Sequence, residues 1–342
     1  MADFDNLSYA VTGVKRLVVV APNWLGDAVM ALPAIADVRR GAPGAVIDVA
    51  ARPAVAPLFT LVDGVRDVVV LEHRSSVTRD FAADFAGRSY DAALLLPNSF
   101  QSALTVWRAA IPLRWGFRTD LRAPLLTSAI ARPGRGHQAA YYQHLARELG
   151  FQSGALEPRL EIPAALRQAG ADLLKGAGWD GTRPLMAVAP GAAYGGAKRW
   201  PADSFAAVAD GLAADGVAAV LVGSAGDRAA ADEVLAASLS APLDLVGRTD
   251  LRALGGVLSN CRGLVTNDSG AMHFAAAIGL AVTAMFGPTE EWATRPLGRK
   301  PPVVLIHDVW CRPCMLRECP IDHRCMRGIT ADSVLAAARQ VM

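Results

Sequence analysis

The chain has almost no excess of either charge: +2 over 342 residues, with charged side chains at 19%. So small a balance argues against a nucleic-acid partner, which needs a cationic surface to displace counterions. The chain also lacks an apolar run of the roughly 20 residues that cross a bilayer. The longest, 271–287, contains His273 and is cut by Gly279, so it reads as a helix followed by a buried strand. The first residues lack the basic-then-apolar pattern of a secretory leader, and a soluble cytoplasmic protein is expected. There is no internal repeat and no low-complexity tract. The spaced glycines of a dinucleotide fingerprint are missing. The sole Asp-x-Asp, Asp3-Phe4-Asp5, sits in a terminal stretch expected to fray, which speaks against a paired-aspartate metal site in catalysis.

What the chain does have is apolar residues, 52% of the total, enough for two domains with separate cores. From Arg16 onward, short β-branched runs alternate with longer helical stretches, the pattern of βα units around a parallel sheet. Strands are predicted at 17–21, 46–50, 67–71 and 92–96, and a helix over 27–40 interrupted early by Pro33. A second series follows at 185–189, 217–222, 243–246, 263–266 and 281–285. Turn-forming residues bracket a helical stretch between the two series, so the domains are drawn at 14–176 and 184–328, with a closing helix over 329–342. The fold class is α/β, two Rossmann-like domains with parallel sheets. In such sheets ligands bind beyond the carboxyl ends of the strands.

Those loops hold the candidate chemistry. Asn267-Asp268-Ser269-Gly270 joins a strand to a helix that runs on through His273, so free N–H groups, the Ser269 hydroxyl and the unobstructed Gly270 make an anion site. A plain helix cap at Asp268 or Ser269 is the structural alternative. Pro190-Gly191 leads to Lys198-Arg199-Trp200-Pro201 and a helix capped near Asp203. Lys198 is placed to neutralise a departing phosphate, or is simply a solvated loop charge. Asp227, in Gly223-Ser224-Ala225-Gly226-Asp227, is a candidate acceptor for a sugar hydroxyl. In the first domain Asn23-Trp24-Leu25-Gly26-Asp27 opens a helix, where Asp27 is either a cap or a base for a hydroxyl.

Arg108, Arg114, Arg118, Arg122, Arg132 and Arg135 are opposed only by Asp120 in their stretch. They form either a solvated face or a patch for an anionic partner. Cys311, Cys314, Cys319 and Cys325 fall in one short segment, with His323 among them. A structural zinc and four reduced thiols are both open readings. Cys261 reads as a small buried hydrophobe.

Together these blocks resemble glycosyltransferase family 9: Asn23-Trp24-Leu25-Gly26-Asp27, Lys198-Arg199-Trp200-Pro201, Thr266-Asn267-Asp268-Ser269-Gly270-Ala271-Met272-His273 and Phe286-Gly287-Pro288-Thr289 occur in that family's order. The resemblance implies a GT-B fold, with an acceptor-binding first domain and an ADP-sugar-binding second domain facing a cleft. It implies inverting, metal-independent transfer of L-glycero-D-manno-heptose from ADP-heptose to the lipopolysaccharide inner core, at the cytoplasmic face of the inner membrane, with no cofactor required. By position, Asp27 corresponds to the general base and Lys198 to the diphosphate-stabilising lysine, while Asp268, Ser269, Gly270 and His273 correspond to the donor-binding segment. The Asp227 position departs from relatives that carry a glutamate at different spacing. The anionic acceptor adds Asn23, Trp24, Arg118 and Arg122 as acceptor-site candidates. Addition of the second heptose is the first reading. Addition of the first heptose to Kdo-lipid A, and a non-catalytic nucleotide-sugar binder, are the alternatives.

Overall fold

The computed structural model describes residues 13–71, 85 and 87–341; Asp3-Phe4-Asp5 lies outside them. The chain forms two compact units, Met1–Pro158 and Arg159–Met342.

The first unit runs β1 (Arg16–Val20), α1 (Leu25–Met30), α2 (Leu32–Gly41), β2 (Val46–Ala51), α3 (Ala56–Phe59), β3 (Val65–Val70), β4 (Ala92–Leu95), α4 (Phe100–Arg108), β5 (Leu113–Phe117), β6 (Ser128–Ile130) and α5 (Gln138–Glu148). Its six strands are parallel in the order β3-β2-β1-β4-β5-β6. A sheet covered on both faces needs strands that are apolar throughout, and β1 and β4 are such runs, buried almost from end to end. The helix predicted over 27–40 is two helices that meet at Ala31. Pro33 is the second residue of α2, where its missing N–H has no partner to lose.

The second unit runs α6 (Ala164–Gly176), β7 (Leu185–Ala189), α7 (Ala202–Ala214), β8 (Ala218–Leu221), α8 (Arg228–Ala237), β9 (Leu243–Asp244), α9 (Leu251–Leu258), β10 (Gly263–Asn267), α10 (Gly270–Ala277), β11 (Ala281–Phe286), α11 (Glu291–Thr294), β12 (Val303–Ile306), α12 (Arg324–Arg327) and α13 (Ala331–Gln340). Its parallel sheet has the order β12-β11-β10-β7-β8-β9. Counted from β7, this repeats the order of the first sheet. Each unit therefore reverses direction between its first and fourth strands, at β1/β4 and at β7/β10, and a crevice opens at such a switch point. Strands β5, β6 and β12 had no counterpart among the predicted ones. The run 271–287 is, as read, a helix and a buried strand. Among the described residues no helix is long and apolar enough to cross a membrane.

Helix 164–176, drawn with the first domain from the sequence, belongs to the second unit. It lies directly on α9: a Cβ at Gly170 would overlap the Gly256 backbone, and one at Gly256 would overlap the Leu166 carbonyl. α13 also closes this unit, packing Val334 and Ala338 into a core with Phe205 and Val208.

Gly170→Ala tests this contact. Alanine inside a helix normally gains about 1 kcal/mol over glycine, but here the methyl meets rigid backbone, so a net loss of about 1–3 kcal/mol is expected. Gly176→Ala, where nothing lies within 4 Å, should be neutral or stabilising. Urea denaturation of the two variants reads the difference in sign.

Candidate active site

β10 ends in Asn267, which is fully buried. Its Nδ2 donates to the Pro190 and Gly191 carbonyls at 2.8 and 3.3 Å, and its Oδ1 accepts from the Trp200 N–H at 3.0 Å. One amide thus joins the end of β10 to both ends of the loop that follows β7. Trp200, itself buried, donates its indole N–H to Ile329 at 2.8 Å, which secures the far end of that loop against the chain leading into α13.

This bracing brings Lys198 onto Asp268. The Lys198 Nζ lies 2.5 Å from Asp268 Oδ2, and the same oxygen accepts from Thr289 Oγ1 at 2.6 Å. Both charged side chains are largely shielded, 12% and 5% exposed, so their attraction is screened less than that of a surface pair. The ammonium also stands 4.6 Å from the centre of the Tyr194 ring, a cation–π contact. Beside this pair, Ser269 is the N-cap of α10 but makes no side-chain cap bond; its hydroxyl lies 3.1 Å from Thr266 Oγ1. Gly270 is the first helical residue, and His273 is buried one turn on. The helix start is therefore left without a side-chain cap, next to a lysine, at a sheet switch point. These are the elements of an anion site.

Asp268 was read as a donor contact, and its carboxylate oxygen is engaged in holding Lys198. Asp227 accepts from the Ser224 N–H and hydroxyl, both at 2.8 Å, in a capping box. Its carboxylate packs where a Gly191 side chain would stand, so it braces the loop after β8 against the loop after β7. Asp203 lies inside the first turn of α7, whose N-cap is Pro201.

In the first unit Asp27 is the third residue of α1, half-buried, and accepts from the Tyr142 hydroxyl of α5 at 3.2 Å. Burial, and then the Asp27 charge, push the Tyr142 hydroxyl well above its ordinary pKa of 10. It stays protonated and donates to the carboxylate. Asn23 and Trp24 are exposed beside Asp27.

The arginine stretch divides. Arg108, Arg118, Arg132 and Arg135 are exposed. Arg122 is not an available surface cation: it is fully buried, donating to Phe117, Pro97 and Ser99 carbonyls and to Ser102 Oγ. Burial lowers its pKa to about 10. Arg114 is likewise committed to the Ile111, Pro112 and Leu125 carbonyls. Arg122 ties the loop beyond β4 to the end of β5, and Arg114 ties the turn before β5 to the chain before β6.

The five cysteines are free thiols, and among the described residues no group of three or more His, Cys, Asp or Glu is arranged to hold a metal ion. Of the two open readings, the geometry gives the structural zinc no support: Cys319 Sγ accepts from the His323 N–H at 3.3 Å, and Cys325 is buried under Gly287. Cys261 is buried as read, and burial pushes its thiol to about 12. Sequence reasoning missed Tyr142 and Tyr194, and took Thr289 only as part of a block. Nothing local marks the two tyrosines, because their partners are distant in the chain or ordinary in type.

Comparison with known proteins gives one consistent result. The model of glycosyltransferase family 9 (heptosyltransferase) matches residues 79–324. Lipopolysaccharide heptosyltransferase 2 of Salmonella typhimurium is 32% identical, over 84% of this chain and 87% of its own. Lipopolysaccharide heptosyltransferase 1 of Pseudomonas aeruginosa is 27% identical, over 89% and 87%. The solved structure of E. coli ADP-heptose lps heptosyltransferase II superimposes with a TM-score of 0.81 at 29% identity, covering 95% of this chain and 98% of that one.

Two measurements check the geometry. Asn267→Ala strands the buried Trp200 N–H and loses the bonds to two carbonyls, an expected loss of about 2–4 kcal/mol in urea denaturation. Iodoacetamide on the native protein at pH 8 should alkylate Cys311, Cys314 and Cys319 and spare Cys261 and Cys325, as read by mass spectrometry of the digest. Protection of all four clustered thiols, released by a chelator, would restore the metal reading.

Proposed function

Because the chain belongs to glycosyltransferase family 9 and is thereby a glycosyltransferase of GT-B type, we propose that it transfers L-glycero-D-manno-heptose from ADP-heptose to the heptose-bearing inner core of lipopolysaccharide, with inversion. The observation that carries this reading is the shielded Lys198 beside the uncapped start of α10. That pairing suits a nucleotide diphosphate, and relatives named as heptosyltransferases supply the sugar.

In this mechanism the acceptor hydroxyl attacks the anomeric carbon from the side opposite the diphosphate. Asp27 takes its proton as the new C–O bond forms and the bond to the ADP oxygen breaks. Tyr142, held protonated, leaves Asp27 an oriented acceptor. Negative charge gathering on the β-phosphate is met by the Lys198 ammonium and the N–H groups at Ser269-Gly270. Asp268 holds Lys198, and an arriving diphosphate competes for the same ammonium. His273 completes the donor segment. The exposed Asn23, Trp24 and Arg118 are assigned to the acceptor, and Arg122 acts on them only through the loops it supports. The acceptor is a membrane glycolipid, so the enzyme works at the cytoplasmic face of the inner membrane.

Asp27→Asn should lower kcat by about 10²-fold or more and leave ADP affinity by calorimetry unchanged; normal turnover would remove Asp27 as the base. Lys198→Ala should lower kcat by about 10²–10³-fold and weaken ADP binding. Purified protein given ADP-heptose with acceptors bearing no heptose or one heptose should extend the second. Extension of the heptose-free acceptor alone would assign the first transfer. ADP binding without transfer to either would leave a nucleotide-sugar binder.

A further inference from the structure

The segment holding the clustered cysteines is not a peripheral loop. It lies along the loop that carries Lys198. The Tyr194 hydroxyl donates to the Met315 carbonyl at 2.8 Å, the Ala197 N–H to the Arg317 carbonyl at 2.9 Å, and the Gly196 N–H to Glu318 Oε1 at 3.0 Å. A side chain at Gly195 would collide with the Arg317 backbone, and one at Gly196 with the Glu318 carboxylate, so these adjacent glycines permit the close approach. On its other side the segment grips the loop after β11. Arg312, its side chain 7% exposed, donates to the Gly287 and Thr289 carbonyls and pairs with Glu291 at 2.7 Å, while the Met315 N–H donates to Pro288. Thr289 is the residue that bonds Asp268. The segment thereby touches the loops of both members of the Lys198–Asp268 pair.

We infer that residues 312–318 form the positioning element for Lys198, with Tyr194 and Glu318 as its positioning residues. Tyr194 acts through its ring, which Lys198 Nζ and the Arg317 guanidinium approach to 4.6 and 5.3 Å, and through its hydroxyl, which is tied to the segment. Glu318 acts through the Gly196 N–H, two residues from the lysine. Lys198 sits on a loop, and a loop is a less exact support for a catalytic charge than a strand or helix. Asn267 secures the two ends of this loop, and the segment secures its middle. The assignment rests on the reading above that Lys198 faces the leaving diphosphate, but the position of the lysine can be measured without turnover.

The test is competitive acetylation of native protein with acetic anhydride, read by mass spectrometry at each lysine. Lys15, Lys175 and Lys300 serve as internal controls. In Tyr194→Ala and Glu318→Ala, Lys198 should label about fivefold faster or more, the scale of one lost hydrogen bond or cation–π contact. The control lysines should keep their wild-type rates. Glu318→Gln keeps an acceptor for the Gly196 N–H and should restore the wild-type rate at Lys198. With ADP-heptose and acceptor, the two alanine variants should lose about tenfold in kcat, and Glu318→Gln should not. Wild-type labelling of Lys198 in both alanine variants overturns the assignment. So does acceleration shared equally by the control lysines, or a Glu318→Gln variant indistinguishable from Glu318→Ala. Absence of heptose transfer by the wild type would instead count against the functional reading, and the labelling result would still stand.

Discussion

The second unit's site depends on the buried amide of Asn267. A side chain with no access to water must place both donor and acceptor, and this one does so on the two ends of the loop that follows β7. Only an amide fits: a carboxylate would oppose the Pro190 and Gly191 carbonyls, and an apolar residue would strand the Trp200 N–H. Because Trp200 is fixed in this way, Lys198 two residues earlier falls within reach of Asp268, the residue after Asn267. Anchor and ion pair are thus consecutive in the chain, which ties the position of the cation to the end of β10.

The two units share a strand order, and with it a location for chemistry. In each, the chain that follows the first strand carries a charged group: Asp27 in the first turn of α1 after β1, and Lys198 in the loop after β7. The surroundings set opposite tasks. Asp27 meets a hydroxyl that burial keeps protonated, an environment suited to a carboxylate that accepts a proton. Lys198 meets a carboxylate, a ring face and an uncapped helix start, an environment suited to an anion. In the proposed mechanism one architecture therefore carries acid–base work in one unit and electrostatic work in the other.

The sequence showed the strands that are long, apolar and β-branched, and the loops that follow them. It did not show β5, which contains Arg114 and Gly116, or β6, which is three residues long. It showed the arginine stretch as charge but not as burial. Arg122 looks like its exposed neighbours until the Pro97 and Ser99 carbonyls, more than twenty positions earlier, close around it. Tyr142 meets Asp27 across 115 positions, and Glu318 meets Gly196 across 122. Local patterning carries no information about such pairs. The family's short blocks mark the residues proposed to meet ligands, whereas the supports of those residues are spread through the fold.

The Lys198–Asp268 pair also bears on how a shielded cation is held within the fold. Burying a charge is costly unless it is paired. Asp268 supplies that partner, and Thr289 donates to the same carboxylate oxygen. In the proposed mechanism the diphosphate exchanges one anionic partner of the lysine for another, and the ammonium does not have to be desolvated anew. An arrangement already oriented toward negative charge needs little reorganisation as that charge grows on the leaving group, and such preorganisation is the main source of electrostatic catalysis.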